Sequence, residues 1–209
     1  MAKAVSARGR RLGLIERSFK KIMRIIAGKF GSRRLKGPGK LRLRPTSDRL
    51  RETIFNILGP TIEGSLFLDV YAGTGAIGIE ALSRGAREVV FIEKHAGAVT
   101  LLHSNLEQLG LRSGVEILGL DALRGLEILA RRHYLADLIF LDPPYEMEDE
   151  YERCLDFLDS PHLIAPSGMI IVEHSRRQEM PVHLAHLERI RVVEQGDATL
   201  SFYRLALAA

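Results

Sequence analysis

The sequence predicts an α/β fold: a doubly wound, largely parallel sheet that ends in an antiparallel hairpin and is preceded by a small basic β-hairpin. Three observations predict it. Five short, nearly all-apolar runs, at residues 65–70, 88–93, 114–118, 137–141 and 169–173, alternate with helical patterns near 76–84, 96–109, 122–132 and 149–159. Runs of that kind suit parallel strands covered on both faces. A glycine-rich turn follows the first run directly, and residues 188–194 and 199–205 flank Gln195-Gly196-Asp197-Ala198, which reads as a hairpin.

Taken from the start, residues 1–22 place Leu12, Ile15, Phe19 and Ile22 at helical spacing among Arg10, Arg11, Arg17, Lys20 and Lys21. That pattern suits a basic amphipathic helix on a membrane or RNA, or an Arg-rich, acid-poor transit segment; a mobile basic extension is the favoured reading, since a new pattern begins at Met23. Residues 23–30 are strand-like, Gly31-Ser32 reads as a turn, and Gly37-Pro38-Gly39 punctuates again. Residues 40–44 alternate Lys-Leu-Arg-Leu-Arg, a half-buried strand with a cationic face that Pro45 ends. Thr46 or Ser47 can cap the next helix, with Asp48 in its first turn facing the helix dipole favourably. Leu50, Ile54, Ile57 and Leu58 form its apolar stripe, and Gly59-Pro60 stops it. The chain thus divides into an extension (1–22), a basic hairpin plus helix (23–59) and an α/β core (60–209).

Composition narrows the function. The chain has 209 residues, 46% of them hydrophobic, which excludes wholesale disorder. A single Cys excludes a disulfide framework and a multi-cysteine metal site, and no apolar run approaches the roughly 20 residues of a membrane span. The net charge of +4 conceals an asymmetry: residues 1–51 hold 17 Lys and Arg against two acids, so the rest of the chain is acidic. A basic head on an acidic body points to an anionic partner, nucleic acid first, gripped at the N-terminal end. Arg33, Arg34, Lys36, Lys40, Arg42, Arg44, Thr46 and Arg49 are the candidate nucleic-acid contacts.

Gly73-Thr74-Gly75-Ala76-Ile77-Gly78 matches G-x-G-x-x-G between a strand and a helix, and Glu93 ends the second strand twenty residues after Gly73. A carboxylate there can accept both hydroxyls of a ribose, so the pattern reads as an adenosine-containing cofactor, a dinucleotide or S-adenosylmethionine. Asp69, four residues before Gly73, suits a cationic aminoacyl group or an ordering role for the loop; it would repel a pyrophosphate. Asp121-Ala122, after the third strand, is placed to accept from an adenine amino group. Ala72, Gly73, Gly75, Ala76 and Lys94 complete the candidate cofactor set.

Asp142-Pro143-Pro144-Tyr145 is the most specific stretch, at the carboxyl end of the fourth strand, where open α/β sheets bind ligands. An exocyclic amino group on a nucleobase is a poor nucleophile, because its lone pair is delocalised into the ring. Asp142 can accept one N–H and the Pro143 carbonyl the other, turning the lone pair outward. Two prolines remove competing backbone donors and stiffen the loop, and Tyr145 can stack on a base turned out of its helix. These four residues are the candidate catalytic set.

At this point the chain resembles a class I S-adenosylmethionine-dependent methyltransferase, Rossmann-like, and more narrowly the RsmD family of bacterial 16S ribosomal RNA (guanine-N2)-methyltransferases. The resemblance is carried by residues 23–29 (MRIIAGK), 44–56 (RPTSDRLRETIFN), 68–85 (LDVYAGTGAIGIEALSRG) and 142–145 (DPPY). It implies a seven-stranded sheet with the C-terminal antiparallel hairpin, S-adenosylmethionine at Gly73–Gly75, Glu93 and Asp121-Ala122, and catalysis at Asp142–Tyr145. It also implies 16S rRNA in the small ribosomal subunit as partner; a cytoplasmic location, a monomer, and neither metal nor membrane are the accompanying expectations. His95, where Asp or Asn is commoner, and Tyr71, where Phe is usual, depart from the family pattern.

Outside these motifs, His174, His183 and His186 read as surface histidines rather than metal ligands. Cys154 reads as a small core residue, and the five acids of 146–152 as a solvated loop and helix start. Three competing functions differ in what they require. A DNA adenine-N6 or tRNA guanine-N2 methyltransferase shares D-P-P-Y; against DNA stands the lack of a separate target-recognition domain. An NAD-dependent oxidoreductase has no use for that loop. A non-catalytic RNA-binding relic has no need to keep Asp142.

Overall fold

A computed structural model of the chain describes residues 23–39, 41, 46–160 and 162–206. Segment 1–22, nearly all of the strand expected over 40–44, and with it Lys40, Arg42 and Arg44, lie outside the described residues. Two two-residue strands, β1 (Met23–Arg24) and β2 (Arg34–Leu35), pair antiparallel and lead to helix α1 (Asp48–Leu58) and a 3-10 turn (Gly59–Ile62). The core then runs β3 (Leu66–Val70), α2 (Ala76–Ser83), β4 (Glu88–Ile92), α3 (Ala96–Leu109), β5 (Val115–Leu118), α4 (Ala122–Arg131), β6 (Ala136–Leu141), α5 (Glu148–Leu158), β7 (Ile164–Ser175), β8 (Leu187–Gln195) and β9 (Ala198–Leu205).

The seven core strands form one sheet in the order β5-β4-β3-β6-β7-β9-β8, parallel except for β9, which runs antiparallel to both neighbours. Alternating strand residues feed two cores. Phe67, Val89, Phe91, Phe140 and Ile171 face α1, α2 and α3, while Leu68, Val70, Val90, Ile139 and Leu141 face α4 and α5. Both faces are covered, which is why these strands read as unbroken apolar runs. The chain order reverses between β3 and β6, so the crevice at their carboxyl ends is the topological switch point where such sheets take ligands.

The described part of the N-terminal hairpin is tied to α2 and α3. The strand expected over 23–30 is two residues long because the chain turns over α2 instead of continuing along a neighbour. Gly28 (φ 79) makes that turn, and a Cβ there would sit 1.9 Å from the Ser83 carbonyl oxygen. The backbone groups released from pairing find side chains. Ile26 and Ala27 N–H donate to the two oxygens of Glu80 at 2.7 and 3.0 Å, and Phe30 N–H donates to Ser83 Oγ at 2.9 Å. Glu80 is fully buried and also meets Arg84 Nε at 2.7 Å and the fully buried Arg51 at 3.6 Å. Arg51 reaches back to the Arg24 carbonyl and to Asp48, so β1, α1 and α2 share one charged knot.

Ser47 caps α1 by accepting from Leu50 N–H at 3.1 Å. Cys154 is buried in the α5 core as its sequence context suggests. His174, however, is not a surface histidine: it is 4% exposed, between Ser201 Oγ and the Ser175 carbonyl, and burial lowers its pKa. Among the described residues, no helix is long and apolar enough to cross a membrane, and no group of three or more His, Cys, Asp and Glu is arranged to hold a metal ion.

Candidate active site

The turn after β3 and the loop after β6 meet at the switch point. Thr46, Asp69, Tyr71, Ala72, Gly73, Thr74, Ala76, Ile77, Phe140 and Asp142 line one narrow cleft there. A larger cavity of about 760 Å³ lies elsewhere, beside Thr61, Asp137, Glu188 and Arg204, and holds none of the residues singled out by sequence.

Three carboxylates order the cofactor side of the cleft. Asp69, at 2% exposure, accepts from Gly78 N–H at 2.9 Å, in the first turn of α2. Burial pushes its pKa up to about 7; the Gly78 bond opposes that shift and the nearby Glu93 charge adds to it. Glu93 uses one oxygen for Gly73 N–H (2.9 Å) and the other for His95 N–H (2.7 Å), tying the glycine turn to the end of β4. Asp121 caps α4 by accepting from Arg124 N–H at 3.1 Å. Gly75 (φ 78) starts α2, and a Cβ there would meet Leu102 Cδ1 at 2.2 Å. Lys94 is exposed just beyond Glu93, and Ala122 is buried at the start of α4. His95, which departs from the family pattern, caps α3 through Nδ1.

The donor set decides between the two cofactor classes. A helix N-terminus ordinarily offers N–H groups to a phosphate. Here one N–H of the first turn of α2 is taken by Asp69; Asp69 and Asp142 line the cleft, Glu93 holds its Gly73 turn, and Asp121 stands at the start of α4. A carboxylate-rich cleft repels a pyrophosphate and suits a ligand bearing cationic groups, ribose hydroxyls and an adenine amino group. The residues therefore fit S-adenosylmethionine better than a dinucleotide.

On the other side, Asp142 N–H donates to the Val70 carbonyl at 3.4 Å, which sets the loop against the end of β3. The Pro143 carbonyl accepts from Tyr151 Oη at 3.1 Å, inside the protein. A carbonyl oxygen has two lone pairs, so this bond fixes the peptide while leaving one for a substrate. Pro144 is exposed, and half-buried Tyr145 turns its hydroxyl toward Glu173 Oε1 at 3.5 Å. Thr46, a candidate nucleic-acid contact, donates to Glu173 Oε2 at 3.2 Å and lines the cleft.

Tyr71 has φ 64, unusual for a side chain of that size, and its hydroxyl donates to Glu150. Glu150 is thus one of the five acids of 146–152 that is not simply solvated: its carboxylate is 16% exposed and also pairs with Arg153 at 2.8 Å. Desolvation, and then the Glu150 bond, raises the Tyr71 pKa. Sequence reasoning does not single out Tyr151, Glu150 or Glu173 for the site. Tyr71 alone carries a signal, as a departure within the glycine motif.

Arg33, Arg34, Lys36 and Arg49 are exposed. Arg33 lies over the Phe30 ring at 5.7 Å, and Lys36 is anchored to α3 by its backbone N–H to Asn105 Oδ1 at 2.8 Å. They lie on the hairpin and on α1, whereas Asp69, Gly73, Glu93 and Asp142 gather at the switch point.

Comparison with known proteins gives consistent relatives. The family model described as conserved hypothetical protein 95 matches residues 23–204. The Ribosomal RNA small subunit methyltransferase D of Haemophilus influenzae is 37% identical over 152 residues, covering 72% of this chain and 78% of its own. Its Escherichia coli K12 namesake is 32% identical over 183 residues, covering 87% and 89%. A solved structure of a hypothetical protein from Thermus thermophilus superposes with a TM-score of 0.75 at 28% identity, covering 88% of this chain and all of that one.

Proposed function

The chain belongs to the RsmD family, the one described as conserved hypothetical protein 95, and from that premise we propose that it methylates the exocyclic N2 of a guanine in 16S rRNA of the small ribosomal subunit, with S-adenosylmethionine as donor. The observation that carries the reading is the placement of Asp142-Pro143-Pro144-Tyr145 at the carboxyl end of β6, beside an acidic cleft formed after β3. The names of the relatives support small-subunit rRNA as the substrate class, and the same reading implies work in the cytoplasm, where subunits are assembled.

S-adenosylmethionine, when bound, supplies an electrophilic methyl group on a sulfonium. Glu93 and Asp121 would hold its ribose and adenine, and Asp69 the loop and the charge of its aminoacyl end. Asp142 accepts one N–H of the target amino group and the Pro143 carbonyl the other, so the nitrogen lone pair points into the cleft. Tyr151 fixes the Pro143 carbonyl from the protein side. Tyr145 offers a ring on which an everted base stacks. Catalysis in this scheme is positioning plus fixed dipoles. Arg33, Arg34, Lys36 and Arg49 supply phosphate contacts, with Lys40, Arg42 and Arg44 as further candidates.

The test is Asp142→Ala, assayed with unmodified small subunits for transfer and by calorimetry for S-adenosylmethionine binding. The reading expects transfer to vanish and cofactor affinity to stay within about twofold, since Asp142 serves the amino group. Loss of cofactor affinity together with transfer would contradict the role given to Asp142.

A further inference from the structure

Glu173 is a buried carboxylate that neither the cofactor cleft nor the proposed transfer step uses. It lies near the end of β7, and the parallel register that pairs Leu141 with Val172 brings it beside Asp142 at the next step. It is 1% exposed. A carboxylate is buried at a cleft only when other groups hold it, and such groups concentrate at functional sites. Its two oxygens divide their work. Oε1 faces the Tyr145 hydroxyl at 3.5 Å, and Oε2 accepts from Thr46 Oγ1 at 3.2 Å.

Those hydroxyls belong to different parts of the molecule. Tyr145 is the last residue of the D-P-P-Y motif after β6, while Thr46 stands just before α1, the helix that carries Arg49 and follows the basic hairpin. One carboxylate therefore spans the loop proposed to present the base and the segment proposed to grip its backbone. We propose that Glu173 is a positioning residue for methyl transfer: it holds the Tyr145 ring at the cleft and sets the catalytic loop in register with the N-terminal element. This rests on the reading of Asp142–Tyr145 as the transfer loop. The Tyr145 contact, at 3.5 Å, is long for a hydrogen bond, and contacts of this kind commonly tighten when substrate binds.

A purely structural role predicts something different. It would lower thermal stability and cofactor affinity alike, and it would be indifferent to the Tyr145 hydroxyl. A positioning role acts through that hydroxyl, spares the cofactor, and tolerates an uncharged side chain of the same shape.

Single-turnover transfer at saturating S-adenosylmethionine, with unmodified small subunits, separates the two for Glu173→Ala, Glu173→Gln, Tyr145→Phe and the double variant Glu173→Ala/Tyr145→Phe. Glu173→Ala is expected to slow transfer about 10-fold or more, with cofactor Kd within about twofold. Glu173→Gln is expected to stay within about threefold of wild type, because its amide oxygen accepts from one hydroxyl and its NH2 donates to the other. The double variant is expected to be no more than about twofold slower than Glu173→Ala, since the hydroxyl has already lost its anchor.

An unchanged rate in Glu173→Ala overturns the proposal, as does a multiplicative loss in the double variant or a Gln variant as slow as the Ala one. Should Glu173→Ala not fold, Glu173→Gln and Tyr145→Phe carry the test: the Phe variant slower than Gln supports positioning, and the reverse order refutes it. A wild type that binds cofactor but methylates no RNA removes the parent reading and the proposal together. An active wild type with indifferent variants removes the proposal alone.

Discussion

Glu80→Ala should loosen the N-terminal hairpin and cost both stability and RNA affinity. The Glu80 carboxylate accepts from Ile26 and Ala27 N–H, binds Arg84 Nε, and is a buried counter-charge to Arg51, whose side chain is 0% exposed. Removing one member of a buried ion pair costs about 3–5 kcal/mol, and each orphaned buried N–H about 1–3 kcal/mol. Asp48 and the Arg24 carbonyl remain on Arg51, so the lower end of the ion-pair range applies, and water can reach the two N–H groups once the hairpin lifts, which leaves about 1 kcal/mol for both together. A loss of about 4 kcal/mol results, a large share of the roughly 5–15 kcal/mol that holds a domain together. Urea titration reads it as a midpoint lowered by about 2 M for a slope near 2 kcal/mol/M. In a melt the same loss is a Tm lower by roughly 8–16 °C. Hydrogen exchange at the Ile26 and Ala27 amides should rise to near-unprotected rates, and affinity for small-subunit RNA should fall because Arg33, Arg34 and Lys36 lose their fixed positions. A change below about 1 kcal/mol, with both amides still protected, would refute the claim that Glu80 seats the hairpin.

Further outcomes follow from the site. Replacing the Tyr151 hydroxyl in Tyr151→Phe should lower the single-turnover rate about 2–10-fold, the worth of one ordinary hydrogen bond, while leaving cofactor Kd unchanged; an unaltered rate would detach Tyr151 from the Pro143 carbonyl's work. Asp69 couples the site to pH. With its pKa raised to about 7, the folded chain keeps a proton that the unfolded chain has already released, so its contribution to stability is greatest below about pH 4 and is lost as pH rises to about 7. A cationic ligand favours the ionised form, so S-adenosylmethionine affinity should rise from about pH 6 to about pH 8 with proton release, and Asp69→Asn should flatten that profile; calorimetry in buffers of different ionisation enthalpy checks it. Replacing Arg33, Arg34 and Lys36 by Ala should weaken RNA binding and reduce the slope of log K against log salt by about 2, as three lost phosphate contacts require, and an unchanged slope would remove them from the interface.

Local signals are legible where local physics decides. The helix read at 96–109 has those bounds in the structure, and Ser47 caps α1, because periodicity and a hydroxyl before Asp48 need no distant partner. The glycine turn, Glu93 and the D-P-P-Y loop converge on one crevice because each follows a strand end and the strands are neighbours. What is not legible depends on residues far apart in sequence. Nothing near Ile26 indicates that its N–H will be satisfied by Glu80, 54 positions on, so an apolar run that reads as strand is mostly a turn. Asn105, buried in α3, bonds the backbone of Lys36 and Thr74, and no periodicity marks it. Glu173 reads as the last residue of an apolar run, and its meaning appears only once Thr46, 127 positions before it, and Tyr145, 28 before it, are brought to its two oxygens. His174 leaves its expected surface position for the same reason: β9 buries it by pairing His174 with Thr199.

Labelled S-adenosylmethionine supplied with unmodified small subunits, naked 16S RNA, tRNA and duplex DNA, followed by identification of the methylated nucleoside by mass, tests the central claim most directly. The expected product is N2-methylguanosine, formed on the small-subunit substrate. N6-methyladenine in DNA, N2-methylguanosine confined to tRNA, or no transfer anywhere despite cofactor binding would contradict it.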